Sequence, residues 1–286
     1  ADILRIWVAS SNYSEDLRID YSILDQHAES YRKIRNTFRY LLGNIKDNFE
    51  EIDFKKVDLN ELPELEQFML HKLYSLDVNF KKYFKNYDFH NLYKELLNFC
   101  TVDLSAFYFD IRKDSLYCDP IDSKNRKSTI LLLNIILNSL LKWFAPILSF
   151  TTEEIYRLIF KDSKSIHLEK FLNFPNNFEN EKLYQKWLEL IKIRNICNIS
   201  IEEKRANKEI GSSLEADLNI HLDKKLEEIT KNIDFSELCI TSKAHISFKE
   251  KLETSAQTTK AKGTKCTLCW KISENACDRT HCPKNT

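Results

Sequence analysis

Four cysteines stand close together in the stretch KCTLCWKISENACDRTHCPKNT, which begins at Lys265. Cys266 and Cys269 form a Cys-x-x-Cys pair, whose two sulfurs can converge on one metal ion from a single tight turn. Cys277 and Cys282 follow shortly after and complete a set of four thiols. Because Zn²⁺ prefers four sulfur or nitrogen ligands in a tetrahedron, the stretch predicts a zinc site; a tail of free thiols is the alternative.

The spacing of these cysteines departs from the usual two Cys-x-x-Cys pairs. A second pair would need a cysteine at position 285, which is Asn285. We expect Cys277 or His281 to supply the fourth ligand instead. A segment this small has no hydrophobic core of its own, so we expect it to be disordered without metal.

A row of basic side chains is predicted on one helix. The segment YRKIRNTFRYLLG has apolar residues at helical spacing, and Gly43 stands where the residue just beyond a helix end is expected. Arg32, Arg35 and Arg39 recur three and four residues apart on a neighbouring stripe. Such a stripe is either a solvated helix face or a surface that contacts phosphate groups.

Further helical patterns surround this stripe. Apolar spacing predicts a helix over 63–84, and Asp88 is a suitable N-cap for the next one. Thr151 and Glu154 match the Thr-x-x-Glu capping box that begins a helix.

The most apolar stretch, 128–150, could be mistaken for a membrane span. However, Asn134, Asn138 and Lys142 are four residues apart and form one polar stripe along it. We therefore expect a central helix of a bundle and no membrane segment.

The periodicity changes after a polar connector at 161–180. A long helix is predicted from 181 to Gly211, and alternating apolar and polar residues then predict a strand over 214–222. Short strand-like runs (ELCITS and AHISF) follow, and 250–265 is expected to be a linker because it lacks apolar periodicity. The expected fold is mainly α: a helical bundle, a small α+β domain and a zinc-finger-like tail.

The composition excludes several classes of function. The 286 residues include 43 basic and 43 acidic residues, so nucleic-acid binding would depend on local patches. The three glycines are dispersed, which excludes the glycine-rich phosphate loops of nucleotide-binding folds. One methionine and a start at Ala1 predict part of a longer protein, and the scattered cysteines elsewhere are typical of reduced cytoplasmic thiols.

Long strings of this sequence resemble the C-terminal part of bacterial isoleucyl-tRNA synthetases, a family of class I aminoacyl-tRNA synthetases, and the likeness covers nearly the whole chain. The strings are ADILRIWVASSNYSEDLRI, SYRKIRNTFRYLLGN, FAPILSFTTEEIY, IGSSLEADLNIHL and KCTLCW. The His-Ile-Gly-His-type and Lys-Met-Ser-Lys-Ser motifs with which this family contacts ATP do not occur in the sequence. At the tail, Cys282 matches the first cysteine of the family's second pair, and Asn285 takes the place of the second.

The resemblance implies a role in tRNA binding. The complete enzyme would join isoleucine to tRNA(Ile) as a cytoplasmic monomer and would bind ATP and Mg²⁺ in a catalytic domain that this chain lacks, so this chain would have no catalytic residue. Arg32, Lys33, Arg35 and Arg39 would contact the tRNA, and Trp270 would either stack on it or pack over the cysteine pair. The implied segments are 1–28 joining the catalytic core, 29–165 as the helical anticodon-binding domain, 181–250 as an α+β junction domain and 262–286 as the zinc-finger-like tail.

Two other functions stay open on the residues alone. The bundle and a zinc-ribbon module could bind DNA or a protein partner. The chain could also buttress a catalytic domain without any contact to nucleic acid.

Overall fold

The structure is a computed structural model that describes residues 1–45, 49, 52–160 and 165–275. The chain divides into two compact units, Ala1–Phe109 with Lys124–Asn180, and Asp110–Ser123 with the residues from Glu181 onward. In the described residues the first unit contains helices only, whereas the second combines helices with a small sheet. The prediction of a mainly helical fold with a small sheet region is therefore confirmed.

The helices of the first unit are built around its most apolar segment. They are α1 (Asp2–Ser10), α2 (Tyr21–Ile45), α3 (Glu64–Lys85), α4 (Phe89–Asn98), a π-helix (Phe99–Tyr108), α6 (Lys124–Phe144) and α7 (Ser149–Ile159), whereas α5 (Phe109–Cys118) belongs almost entirely to the second unit. Phe38 of α2 meets Phe144 of α6 edge to face at 6.1 Å between ring centroids. Both rings are almost completely buried, so this contact lies in the core of the bundle.

The polar stripe of α6 is satisfied inside the bundle. Asn134 and Asn138 are buried, and their side-chain amides donate to the carbonyls four residues earlier, at 3.1 and 3.0 Å. Lys142 instead reaches Glu169 at 3.4 Å. No helix in the described part of the chain is long and apolar enough to cross a membrane.

Two polar contacts join α3 to the π-helix. The Tyr108 hydroxyl donates to the buried carboxylate of Glu66 at 3.0 Å. The Lys72 ammonium lies 2.7 Å from Asp103. Burial raises the pKa of the Asp103 carboxyl, and Lys72 opposes that shift. Because buried carboxylates need partners, these contacts fix α3 against the π-helix.

Some predicted helix signals are confirmed and others are wrong. The helix predicted over 63–84 is α3, and the side chain of Asp88 caps α4 by accepting from the Asn91 amide. Gly43 is not beyond a helix end, because α2 continues to Ile45. Ile45 is 1% exposed, and its burial explains why the helix continues through a glycine.

The second unit contains a three-stranded sheet in the order β2-β1-β3. Its elements are α8 (Glu181–Ala206), β1 (Ala216–Asp223), α9 (Glu227–Thr230), α10 (Phe235–Leu238), β2 (Lys243–Lys249), β3 (Ser255–Lys260), β4 (Thr264–Lys265) and β5 (Ile272–Ser273). β2 pairs parallel to β1, and β3 pairs antiparallel to it. Alternate residues of β1 are buried, which confirms the predicted strand. α8 packs on β3 and β1, but it ends at Ala206, before Gly211.

Two predictions for this region are wrong. The expected linker at 250–265 contains β3, whose Ser200–Thr258 hydroxyl contact at 2.9 Å joins the sheet to α8. A short strand held by backbone pairing needs no apolar period, which is why the sequence pattern gave no strand signal. The run 237–242 is not a strand either: its first two residues end α10, which Asp234 caps by accepting from the Ser236 and Glu237 amides, and a turn at 239–240 follows.

Candidate nucleic-acid interface and cysteine knuckle

The basic residues of α2 lie on its exposed side. Arg32, Lys33, Arg35 and Arg39 are all exposed, whereas Ile34, Phe38 and Leu41 of the same helix are buried. The helical period separates the two sets, since apolar residues three and four apart line the face that packs into the bundle. The structure therefore places all four predicted cations of α2 at the surface.

These cations differ in their partners. Arg32 forms an exposed ion pair with Glu29, one turn earlier on α2. Neither Lys33 nor Arg39 has an ion-pair partner within the described residues. An exposed pair such as Arg32–Glu29 contributes little energy and can be exchanged for another anion.

Arg35 is bound differently. Its Nη1 and Nη2 donate to the two carboxylate oxygens of Glu154 in α7, at 3.0 and 3.1 Å, and Nη1 also reaches the Tyr31 hydroxyl at 3.2 Å. Glu154, and then Tyr31, raise the pKa of the guanidinium. The hydrogen bond from Arg35 in turn lowers the pKa of Glu154. A two-point pair of this kind fixes the orientation of both side chains.

The Arg35 pair continues into the bundle through hydroxyl groups. Tyr31 contacts the Thr151 hydroxyl at 2.9 Å, and that hydroxyl donates to the Asp2 carboxylate at 2.6 Å. Asp2 also accepts from the Thr151 amide at 2.8 Å. The predicted capping box of Thr151 and Glu154 is wrong: α7 begins at Ser149, and Asp2 of α1 binds its first-turn amides instead.

Cys266 and Cys269 lie in the turn that joins β4 to β5. The amide of Leu268 donates to the sulfur of Cys266 at 3.4 Å, and the amide of Trp270 donates to the Cys266 carbonyl at 3.0 Å. An amide donor close to sulfur favours the negative charge that a metal-bound thiolate carries. We call the residues 263–273 that form this hairpin the cysteine knuckle.

Trp270 occupies an unusual position in the knuckle. Its φ is +64°, a value that L-residues adopt rarely, and its side chain is 54% exposed. Gly263, the first residue of the knuckle, also has a positive φ, of +122°. A Cβ at that position would lie 2.1 Å from the carbonyl oxygen of Ser273, so only glycine fits there.

The knuckle packs on residues of its own unit that the sequence did not indicate. The Ser242 hydroxyl accepts from the Ile272 amide at 2.6 Å. Cys118 of α5 is buried with Cys269, and its thiol faces the Leu268 carbonyl at 3.9 Å. Cys118 is far away in the sequence and carries no motif, so only the tertiary fold reveals its place under the knuckle.

Half of the predicted metal site lies outside the described residues. Cys277 and Cys282, together with His281 and Asn285, are not among them. Within the described part of the chain, no group of three or more His, Cys, Asp or Glu side chains could hold a metal ion. Of the four predicted ligands, the described residues include only Cys266 and Cys269.

Comparisons with known proteins agree on one family. Residues 66–220 match the family described as the anticodon-binding domain of tRNA ligase. The isoleucine–tRNA ligase of Pelagibacter ubique is 68% identical over 279 residues, which are 98% of this chain and 31% of that protein. The isoleucine–tRNA ligases of Zymomonas mobilis and Bartonella henselae are 40% and 38% identical, over 94% and 96% of this chain and 29% of each relative. This chain thus spans about a third of the length of these relatives.

Proposed function

Because the chain belongs to the family of anticodon-binding domains of tRNA ligases, we propose that it binds the anticodon region of tRNA(Ile) as part of an isoleucine–tRNA ligase. The observation that carries this proposal is the family match over more than half of the chain, together with relatives whose names specify isoleucine. The complete enzyme would attach isoleucine to its tRNA with ATP and Mg²⁺, as a monomer in the cytoplasm. That chemistry would belong to residues outside this chain.

The exposed cations of α2 support phosphate binding. Lys33 and Arg39 have no ion-pair partner in the described structure, and Arg32 can exchange Glu29 for a phosphate. Arginine suits this role because its planar guanidinium binds phosphate oxygens at two points.

Trp270 supports recognition of an unstacked base. Anticodon bases are single-stranded and can be splayed out, and such bases stack on exposed aromatic side chains. Trp270 is 54% exposed, while Trp143 and Trp187 are buried in their units. Its backbone is fixed by the hydrogen bond to Cys266, so the indole would meet the RNA from a preset position.

Zinc would stabilise the knuckle that holds Trp270. Cys266 and Cys269 fit two corners of a tetrahedral site, and the Leu268 amide that donates to sulfur suits a thiolate. Cys277 and Cys282 are the remaining proposed ligands, with His281 as the substitute. Zinc here would be structural, because the strands of the β4–β5 hairpin are only two residues long and a metal would cross-link the turn between them.

A filter-binding titration with a tRNA(Ile) transcript tests the proposed function. We expect affinity to fall as salt rises, and to fall further in the variant R32E/R39E. The variant K224E/K225E makes the same charge change at exposed residues of the second unit and is the matched control. We expect Trp270→Ala to weaken tRNA binding relative to the wild type by about 1–3 kcal/mol, the contribution of stacking one base on an aromatic side chain.

Competition separates this function from the alternatives. If unrelated double-stranded DNA displaces the tRNA at equal concentration, a general nucleic-acid module is the better description. If no salt-dependent binding is detected, the chain does not bind tRNA through this surface, and the proposal is wrong.

A further inference from the structure

The hydrogen-bond chain from Arg35 to Asp2 has one possible direction. An arginine can only donate, and an ionised carboxylate can only accept. The Thr151 hydroxyl donates its single proton to Asp2. Tyr31 must therefore donate to Thr151, and its oxygen is then open to accept from Arg35. Every hydroxyl in the chain is oriented by the charged groups at its two ends.

This series of hydrogen bonds fixes the position of α2 along α7. Tyr31 meets Thr151, and Arg35, one turn later, meets Glu154. The two contacts advance in the same direction along both helices, so a shift of one helix along the other would break both contacts. Asp2, which is 7% exposed, anchors the buried end of the chain in α1.

Arg35 lies at the centre of the basic stripe. Arg32 is three residues before it and Arg39 four residues after it, so all three lie on one side of α2. Three of the donor contacts of Arg35 go to Glu154 and Tyr31. Arg32 and Arg39 make no hydrogen bond or ion pair to another helix in the described structure.

We propose that Tyr31, Arg35 and Glu154 are positioning residues, which hold the α2 surface in place for RNA without touching the RNA themselves. The inference rests on the proposed function and deepens it, because it divides the predicted stripe into contacts (Arg32 and Arg39) and a support (Arg35). The ligand remains the phosphate backbone of a tRNA.

Removing the charge of Glu154 distinguishes a positioning role of Arg35 from direct contact with the RNA, because the two roles predict opposite changes in tRNA affinity. If Arg35 binds phosphate, then Glu154 competes with the RNA, and Glu154→Gln strengthens binding. If Arg35 supports the surface, Glu154→Gln weakens binding by roughly three- to tenfold, the equivalent of about 0.7–1.4 kcal/mol, because Gln keeps only one of the two acceptor oxygens that hold Arg35. Glu29→Gln is the matched control: it removes the same charge beside Arg32, and we expect it to strengthen binding.

The salt dependence gives an independent measure. Plots of log affinity against log salt lose about 0.7 to 0.9 in slope for each phosphate contact removed. We expect Arg39→Gln to lower the slope by that amount. Arg35→Gln and Tyr31→Phe should weaken binding at every salt concentration with the slope unchanged, and the double variant R35Q/E154Q should be no weaker than R35Q alone.

Circular dichroism at the assay temperature must show that the variants are folded to the wild-type extent, so that lost affinity reports position and not unfolding. Stronger binding by Glu154→Gln, or a reduced slope in Arg35→Gln, overturns this inference while the proposed function stands. A wild-type chain without salt-dependent tRNA binding overturns the proposed function and this inference together.

Discussion

Arg5 of α1 donates from Nε to the carbonyl oxygen of Ile147 at 2.7 Å, and from Nη2 to the neighbouring Pro146 carbonyl at 2.7 Å. These carbonyls lie between α6 and α7, where carbonyl groups are left unpaired at a helix end and attract positive charge. Three residues before Arg5, Asp2 binds the amides at the start of α7. One turn of α1 therefore supplies both charges that the junction between α6 and α7 needs.

From this relationship we expect Arg5→Ala to lower the free energy of unfolding by about 1–2 kcal/mol, since two charge-assisted hydrogen bonds are lost at a partly exposed site. Urea unfolding measures the change. Arg5→Lys keeps the charge but cannot make both bonds, and we expect an intermediate loss. A fully stable Arg5→Ala variant would show that the junction does not depend on α1.

Two glycines give opposite predictions for the same substitution. Gly263→Ala forces a Cβ into the Ser273 carbonyl at 2.1 Å, so we expect the knuckle to open and metal affinity to fall. Gly43→Ala meets no atom within 4 Å inside α2, so we expect a gain of about 0.5–1 kcal/mol from helix propensity. Zinc titration and urea unfolding of both variants check the pair. Equal effects of the two substitutions would contradict the strained turn.

Asp77 predicts a specific dependence of stability on pH. Its side chain is buried, and that burial raises the pKa of its carboxyl above the ordinary value of 3.8 despite the nearby Lys81. The folded protein then holds this proton at a pH where the unfolded chain has released it, so the contribution of Asp77 to stability falls as pH rises from 3.8 through the raised pKa.

The variant Asp77→Asn cannot ionise and removes this dependence. We expect the stability of the wild type relative to Asp77→Asn to decrease as pH rises from 4 to 7, as measured by urea unfolding. Asp88→Asn is a control of opposite sign, because the Asn91 side chain lowers the pKa of Asp88 and its contribution is lost as pH falls. A difference between wild type and Asp77→Asn that stays constant with pH would refute the assignment.

Zinc content provides a direct measure of the metal proposal. Purified without chelator, the chain should carry one zinc, and Cys269→Ser should reduce the content to near zero. Cys100→Ala alters a buried cysteine in the π-helix of the other unit and should leave zinc unchanged. If Cys277→Ser also leaves zinc unchanged, the fourth ligand is His281 or a water molecule.

The sequence predicted best where one local signal decides the structure. The apolar period of α3 and the Asp88 cap are local, and both were confirmed. Gly43 and the Thr151–Glu154 pair also looked like local signals, but tertiary contacts decide both positions. Burial of Ile45 carries α2 past the glycine, and Asp2 replaces Thr151 as the cap of α7.

At the candidate site, too, the sequence predicted local features but not tertiary contacts. The spacing of Arg32, Arg35 and Arg39 correctly placed all three on one exposed side of a helix. It could not reveal that Arg35 is bound by Glu154, because the two residues are 119 positions apart in the chain. The knuckle cysteines were evident from their spacing, whereas Cys118 beneath them had no sequence signal.

The second unit is assembled from two separate stretches of chain, with 124–180 of the first unit between them. Arg112, Asp114 and Cys118 lie in the earlier stretch and meet Glu237, Lys271 and Leu268 of the later one. During synthesis on the ribosome, residues 110–123 therefore emerge before the residues that they contact. Those partners lie beyond residue 181 and are made only after the rest of the first unit. A graft between relatives that cuts only at residue 181 would exchange the knuckle but keep the old surface beneath it. A successful chimera must carry both stretches together.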